Sequence, residues 1–158
     1  MKLSLLFWFF QTFPESLALS SMAIVVGGHR LETRSVFLIG VMIAVAVYLI
    51  RLIPVTFGVH FVLLVIILAV LLNILFKDPF SRCLLTALVA GLILAVSETI
   101  LISLMSLATA VPMEQVTESS PMHIIYAWPH IVFMFFLVLV INRWRRGRRE
   151  SLEKEKDA

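Results

Sequence analysis

Residues 59–76 read VHFVLLVIILAVLLNILF, an almost unbroken apolar run. A helix needs about 20 mostly apolar residues to cross about 30 Å of hydrocarbon, so this run predicts a transmembrane helix. Hydrophobic residues make up 61% of the 158-residue chain and charged residues only 15%, which is far from the composition of a soluble domain. We therefore predict an all-α, polytopic integral membrane protein.

Three further stretches are apolar over about the length of a membrane span, and two shorter apolar segments near the N-terminus make one more span when they are joined. Together with the first run they give five predicted spans, at residues 3–26, 36–53, 59–76, 84–108 and 124–141. The predicted transmembrane domain therefore covers residues 1–142. A basic tail follows over residues 143–158.

The first span has an alternative interpretation as a cleaved secretory signal peptide. Lys2, the apolar run after it and the small residues Ala18-Leu19-Ser20 fit that pattern. Excess Lys and Arg mark the cytoplasmic side, however, and five spans with a cytoplasmic C-terminus leave only Lys2 and Arg51 outside. Removing the first span would invert this bias. We therefore expect five spans in a bacterial inner membrane, with the N-terminus outside and the C-terminus inside.

Proline and glycine mark the expected breaks in the helices. Pro54 and Gly58 predict a tight hairpin between the second and third spans. Pro14 and Pro129 predict kinks in the first and fifth spans.

Small residues recur every four positions in two of the spans. Gly40 and Ala44 form one set, and Ala87, Gly91 and Ala95 form the other. This spacing lets helix backbones approach closely in lipid, although glycine and alanine are also common in membrane helices by chance. We expect close helix packing at these positions.

Ionisable residues at membrane depth are the candidate functional residues, because a charge at the bilayer centre costs at least about 2.5 to 3.5 kcal/mol. Glu15 and Glu98 lie near the middle of the first and fourth spans. Arg51, His60 and His130 lie at similar expected depth. We expect these residues to form a polar cluster in the outer half of the membrane, either as a ligand or proton-handling pocket or as a network that fixes helix registry.

No cofactor or metal ion is expected. The single cysteine, Cys83, rules out an intramolecular disulfide and a thiolate metal cluster within one chain. The zinc, nucleophile-elbow and phosphate-loop motifs of soluble enzymes do not occur in the sequence. We therefore expect a protein that is not an enzyme.

The C-terminal tail is strongly basic, and its expected role is attraction to anionic lipid headgroups and contact with a cytoplasmic partner. Nucleic-acid binding does not follow, because the charge belongs to one membrane-flanking segment. The residues expected to make these contacts are Arg143, Arg145, Arg146, Arg148 and Arg149.

The stretches TFPES at 12–16, YLIRLIPVTFGVH at 48–60 and Ser97-Glu98 resemble the multi-span membrane-sensor region of bacterial sensor histidine kinases with GHKL-type ATPase domains. These kinases are related in layout to quorum-sensing peptide receptors. The resemblance extends over residues 5–141 and implies a sensing role. The matching positions are Pro14, Glu15, Arg51, Pro54, Gly58, His60 and Glu98. No phosphotransfer histidine or ATP-binding motif follows Trp144, so we expect signalling through a separate cytoplasmic partner.

The leading expectation is thus a non-enzymatic membrane sensor or accessory subunit, alone or in a homo- or hetero-oligomer. Two alternatives stay open. One is a small transporter, or a transporter subunit, that uses Glu15 and Glu98. The other is a scaffold subunit of the cell envelope.

Overall fold

A computed structural model describes residues 8–51, 57–109 and 120–156. Every element within these ranges is helical. A short π-helical segment, Trp8–Thr12, runs directly into the first α-helix. The five α-helices are α1 Phe13–Gly27, α2 Thr33–Arg51, α3 Phe57–Phe76, α4 Phe80–Thr109 and α5 Ser120–Lys156.

Three of these helices are long and apolar enough to cross a membrane. They are Thr33–Ile50 in α2, Gly58–Phe76 in α3 and Phe80–Thr109 in α4. Three of the predicted spans are thereby confirmed as membrane-compatible helices. The first and fifth predicted spans coincide with helical segments, α1 with its π-helical extension and the first part of α5.

The structure places three of the four residues that were expected to break or kink helices inside helices. Pro14 lies in the first turn of α1, directly after the π-helical segment. Gly58 lies in the first turn of α3 rather than between helices, and Pro129 lies inside a continuous α5. Pro54 lies outside the described residues. The basic tail is also helical, because α5 continues to Lys156.

The central helix of the bundle is α1. It packs against α2, α4 and α5, while α2 packs against α3, α3 against α4, and α4 against α5. Most of its residues from Ser16 to Gly27 are buried. Serine and alanine dominate its middle, and such small side chains allow neighbouring helices to come close on several sides.

Two glycines allow close helix contacts, as the small-residue spacing predicted. A Cβ atom on Gly40 of α2 would come within 2.6 Å of the Leu17 Cδ2 atom and 3.3 Å of the Leu17 Cα atom in α1. A Cβ atom on Gly91 of α4 would lie 3.2 Å from the Phe61 ring in α3. The predicted packing at these two glycines is confirmed.

The membrane-compatible helices expose many large apolar side chains on their outward faces. On α3, the exposed large residues recur every three or four positions, as expected for one face of a helix. They are Val59, Val62, Ile66, Val70 and Ile74. An apolar face of this extent is typical of a surface in contact with lipid.

Candidate functional site

A cavity of 420 Å³ lies between α1 and α3, with α2 and α4 as its side walls. The lining segments are the start of α1, the second half of α2, the start of α3 and the middle of α4. These segments lie in the half of the bundle that contains the starts of α1 and α3, away from the C-terminal ends of those two helices. The cavity is therefore placed towards one end of the bundle.

The polar side chains of the cavity come from three helical segments. Thr12, Glu15 and Ser16 lie at the junction of the π-helical segment with α1, His60 lies near the start of α3, and Glu98 lies on α4. The structure thus brings together Glu15, His60 and Glu98, three of the candidates identified from the sequence.

The junction of the π-helical segment with α1 positions the side chains of Thr12 and Ser16. Ser16 Oγ donates a hydrogen bond of 2.7 Å to the carbonyl oxygen of Thr12. Thr12 is itself 2% exposed, and its Oγ1 atom has no hydrogen-bond partner among the described residues. Single π-helical turns in helices occur frequently at functional sites. The sequence showed the Thr-Phe-Pro-Glu-Ser stretch but gave no sign of the π-helical turn.

The remaining lining of the cavity is apolar. Aliphatic side chains from α1, α2 and α4 and the Phe61 ring of α3 surround the polar groups, and Gly91 forms part of the wall beside that ring. The aliphatic residues are Leu19, Ile43, Val47, Ile50, Leu64 and Leu94. An apolar cavity with a few polar groups is the usual form of a small-molecule site.

The other two candidates are placed differently. His130 is fully buried on α5 but is not among the residues that line the cavity. Arg51 ends α2, one residue after the lining residue Ile50, and its side chain lies outside the described part of the chain. Among the described residues, no three His, Cys, Asp or Glu side chains form a group that could hold a metal ion.

A second polar cluster lies at the opposite end of the bundle. His29 Nε2 lies 2.9 Å from Asp78 Oδ2, which joins the α1–α2 connection to the α3–α4 turn. The His29 ring also stacks on Phe76 at a centroid distance of 3.9 Å and an interplanar angle of 11°. Arg82 approaches the same carboxylate at 3.9 Å. The sequence analysis missed this cluster, although Gly27-Gly28-His29 and the short charged turn at Asp78 are its signals.

Two arginines bind the carbonyl groups at the C-terminal end of α1. Arg145 of α5 donates hydrogen bonds to the carbonyl oxygens of Val25 and Val26, and Arg82 of α4 donates to the carbonyl oxygen of Gly27 at 3.3 Å. The Val25 carbonyl oxygen also accepts the capping hydrogen bond from Gly28 N–H, and the two arginines add positive charge at the negative end of the helix dipole.

The tail arginines therefore differ from one another in the structure. Arg145 is partly buried against α1, whereas Arg143, Arg146 and Arg148 are exposed. The side chain of Arg149 lies outside the described residues. Contact of these residues with lipid or a partner stays a prediction.

Comparison of the chain with family models, curated proteins and solved structures finds no match. The resemblance to sensor regions of histidine kinases stays a prediction from the sequence.

Proposed function

We propose that this chain is a non-enzymatic sensor or accessory subunit of a bacterial inner membrane. Its cavity binds a small ligand, and its basic helical tail contacts a cytoplasmic partner. The observation that carries this proposal is that α1 contributes to both places. Glu15 and Ser16 line the cavity near its start, and Val25 binds Arg145 at its end.

The proposed arrangement has five spans, with the cavity in the outer half of the membrane and the tail inside. The charge bias of the sequence supports this orientation, because eleven of the thirteen basic residues then face the cytoplasm. The cavity and Arg145 lie at opposite ends of α1, so a ligand from outside and a partner inside would act on one helix.

The volume of the cavity supports ligand binding. At 420 Å³ it lies within the range of about 300 to 1,000 Å³ that small-molecule sites occupy. One helical turn further towards the basic end, Met22, Leu68 and Ala87 are buried in the core. These side chains fill the bundle below the cavity, which favours a site that binds and releases ligand at one end.

Signalling through α1 requires that the ligand bind one arrangement of the helices more tightly than another. A ligand that contacts Thr12, Ser16 and Leu19 would bear on the same rigid helix whose last carbonyls hold Arg145. A change in the position of α1 would thus also move α5 and the exposed arginines of the tail.

The experiment is quantitative co-purification of cytoplasmic proteins with the full chain in lipid nanodiscs. We expect a protein whose recovery falls when the five arginines between 143 and 149 are changed to glutamine, and changes with Glu15→Gln and with Glu98→Gln. Glu32→Gln is the matched control, because Glu32 is exposed and outside the cavity. Recovery of lipid alone from the wild-type chain, or a partner indifferent to all these changes, would contradict the proposal.

A transporter is the second candidate, because Glu15 and Glu98 share one cavity and intramembrane carboxylates often mark transport paths. The test is flux into liposomes that contain the purified chain. If the chain is a transporter, Glu15→Gln and Glu98→Gln should each reduce the flux. The control change Glu32→Gln should leave the flux unchanged. Absence of flux for protons and a broad panel of substrates would eliminate this candidate.

A further inference from the structure

Most of the ionisable side chains that line the cavity are acidic. Its titratable lining residues are Glu15, Glu98 and His60, and no Lys or Arg side chain is among the lining residues that the structure describes. Arg51 follows the lining residue Ile50 in the sequence. Even if Arg51 is counted with the cavity, its acidic side chains outnumber its basic ones by two to one, histidine aside.

A buried hydroxyl supplies a further acceptor. Thr12 Oγ1 lines the same cavity and has no hydrogen-bond partner within the described ranges, although Thr12 is only 2% exposed. A buried polar atom without a partner costs about 1 to 3 kcal/mol, so a bound group that satisfies it gains that amount back. Carboxylates accept hydrogen bonds only, and a hydroxyl can accept them as well.

A protonated amine is the group that complements these atoms. An ammonium has three donors and no acceptor, and it carries one positive charge. A buried cation is tolerated only when it is paired and hydrogen-bonded, and two carboxylates and a hydroxyl that line one cavity can provide this. The Phe61 ring adds an aromatic face, which attracts cations.

The rest of the wall selects for an apolar body. Ile43 and Val47 line the cavity from α2, and Leu64 lines it from α3. A ligand made only of charge, such as a bare inorganic cation, would leave this apolar lining without contacts. An organic group would displace water from it at a gain of about 25 cal/mol per Å² of buried apolar area.

We infer that the cavity binds a monovalent organic cation, an amine in its protonated form on an apolar body. The ammonium lies among Glu15, Glu98 and Thr12, and the apolar body lies against the aliphatic residues of α2 and α3. This inference rests on the proposed function, because it names the class of ligand for the same cavity.

The test uses three probes that share one apolar body: phenylbutylamine, phenylbutanol and phenylbutyrate. Each is titrated by calorimetry into the full chain in nanodiscs of zwitterionic lipid, and partition into the lipid is subtracted with empty nanodiscs. We expect the amine to bind at least about tenfold more tightly than the alcohol or the acid. Glu15→Gln and Glu98→Gln should each weaken amine binding at least about tenfold, and Glu32→Gln should leave it unchanged.

A cavity-filling variant assigns the binding to this site. Ala95 lines the cavity on α4, and Ala95→Phe should abolish amine binding, whereas Leu88→Phe on the exposed face of the same helix should not. Equal binding of the three probes, preference for the acid, or no binding of the amine to the wild-type chain would overturn the inference. If the alcohol or the acid binds and Ala95→Phe removes that binding, the inference of a cationic ligand is overturned. The cavity then keeps its proposed function as a ligand site.

Discussion

Arg145 of α5 donates a hydrogen bond to the carbonyl oxygen of Val25, the third residue from the end of α1. The two residues are 120 positions apart in the sequence, so this bond joins the basic tail to the first helix of the bundle. It lies beside Gly28, whose φ of 90° ends α1 in a left-handed turn. The same guanidinium also donates to Val26.

We predict that Arg145→Gln destabilises the bundle by about 1 kcal/mol, because carbonyls at the end of α1 lose a charged donor. The measurement is thermal unfolding in detergent micelles. Arg146→Gln is the matched control, since Arg146 is the neighbouring residue and is exposed. Equal effects of the two changes would show that charge in the tail matters, and that the bond to α1 does not.

Gly40→Ala should destabilise the protein by about 1 to 3 kcal/mol, because the added methyl group would clash with both the side chain and the backbone of Leu17. The two helices would have to separate along the wall of the cavity. Gly58→Ala is the control, since a Cβ atom there meets nothing within 4 Å and alanine favours a helix. A lower melting temperature for Gly40→Ala alone is expected, and the reverse order would contradict the packing of α1 on α2.

Length and hydropathy were sufficient to predict the helical class and three membrane-compatible helices. The reason is that hydrocarbon imposes a minimum apolar length, which can be read directly from residues such as 59–76. Rarity of charge in such segments selected five candidate residues, of which the structure places Glu15, His60 and Glu98 around one cavity, whereas His130 is not part of its lining. Both the apolar length and the rarity of charge can be read from the composition of each segment by itself.

The basic end of the bundle could not be predicted in the same way. His29 and Asp78 meet because the α1–α2 connection and the α3–α4 turn lie at one end of the bundle, where Arg145 of α5 also binds the end of α1. No local pattern in the sequence encodes that geometry. Arg145 looked like any other arginine of the tail. The π-helical turn before Phe13 contacts α2 and α5, and the periodicity of the sequence does not report such contacts.

His29 and Asp78 should be energetically coupled, because they form the polar bond between the α1–α2 connection and the α3–α4 turn. The measurement is a double-mutant cycle of His29→Ala and Asp78→Ala. Both side chains are partly exposed, at 24% and 21%, so solvent screening limits the expected coupling to about 0.5 to 1 kcal/mol. His29→Ala alone should cost more than the coupling, because it also removes the stacking on Phe76. Additive effects of the two changes would contradict the pairing.

The last prediction concerns orientation, on which the location of the ligand depends. A fluorescent protein fused after Ala158 should fluoresce in bacterial cells, and alkaline phosphatase at the same position should be inactive, because the tail is expected inside. Changing Arg143, Arg145, Arg146, Arg148 and Arg149 to glutamine together should weaken this preference, whereas Arg51→Gln should not, since Arg51 is expected outside. Active phosphatase on the wild-type chain would place the tail outside. The cavity would then open towards the cytoplasm, and its ligand would have to come from within the cell.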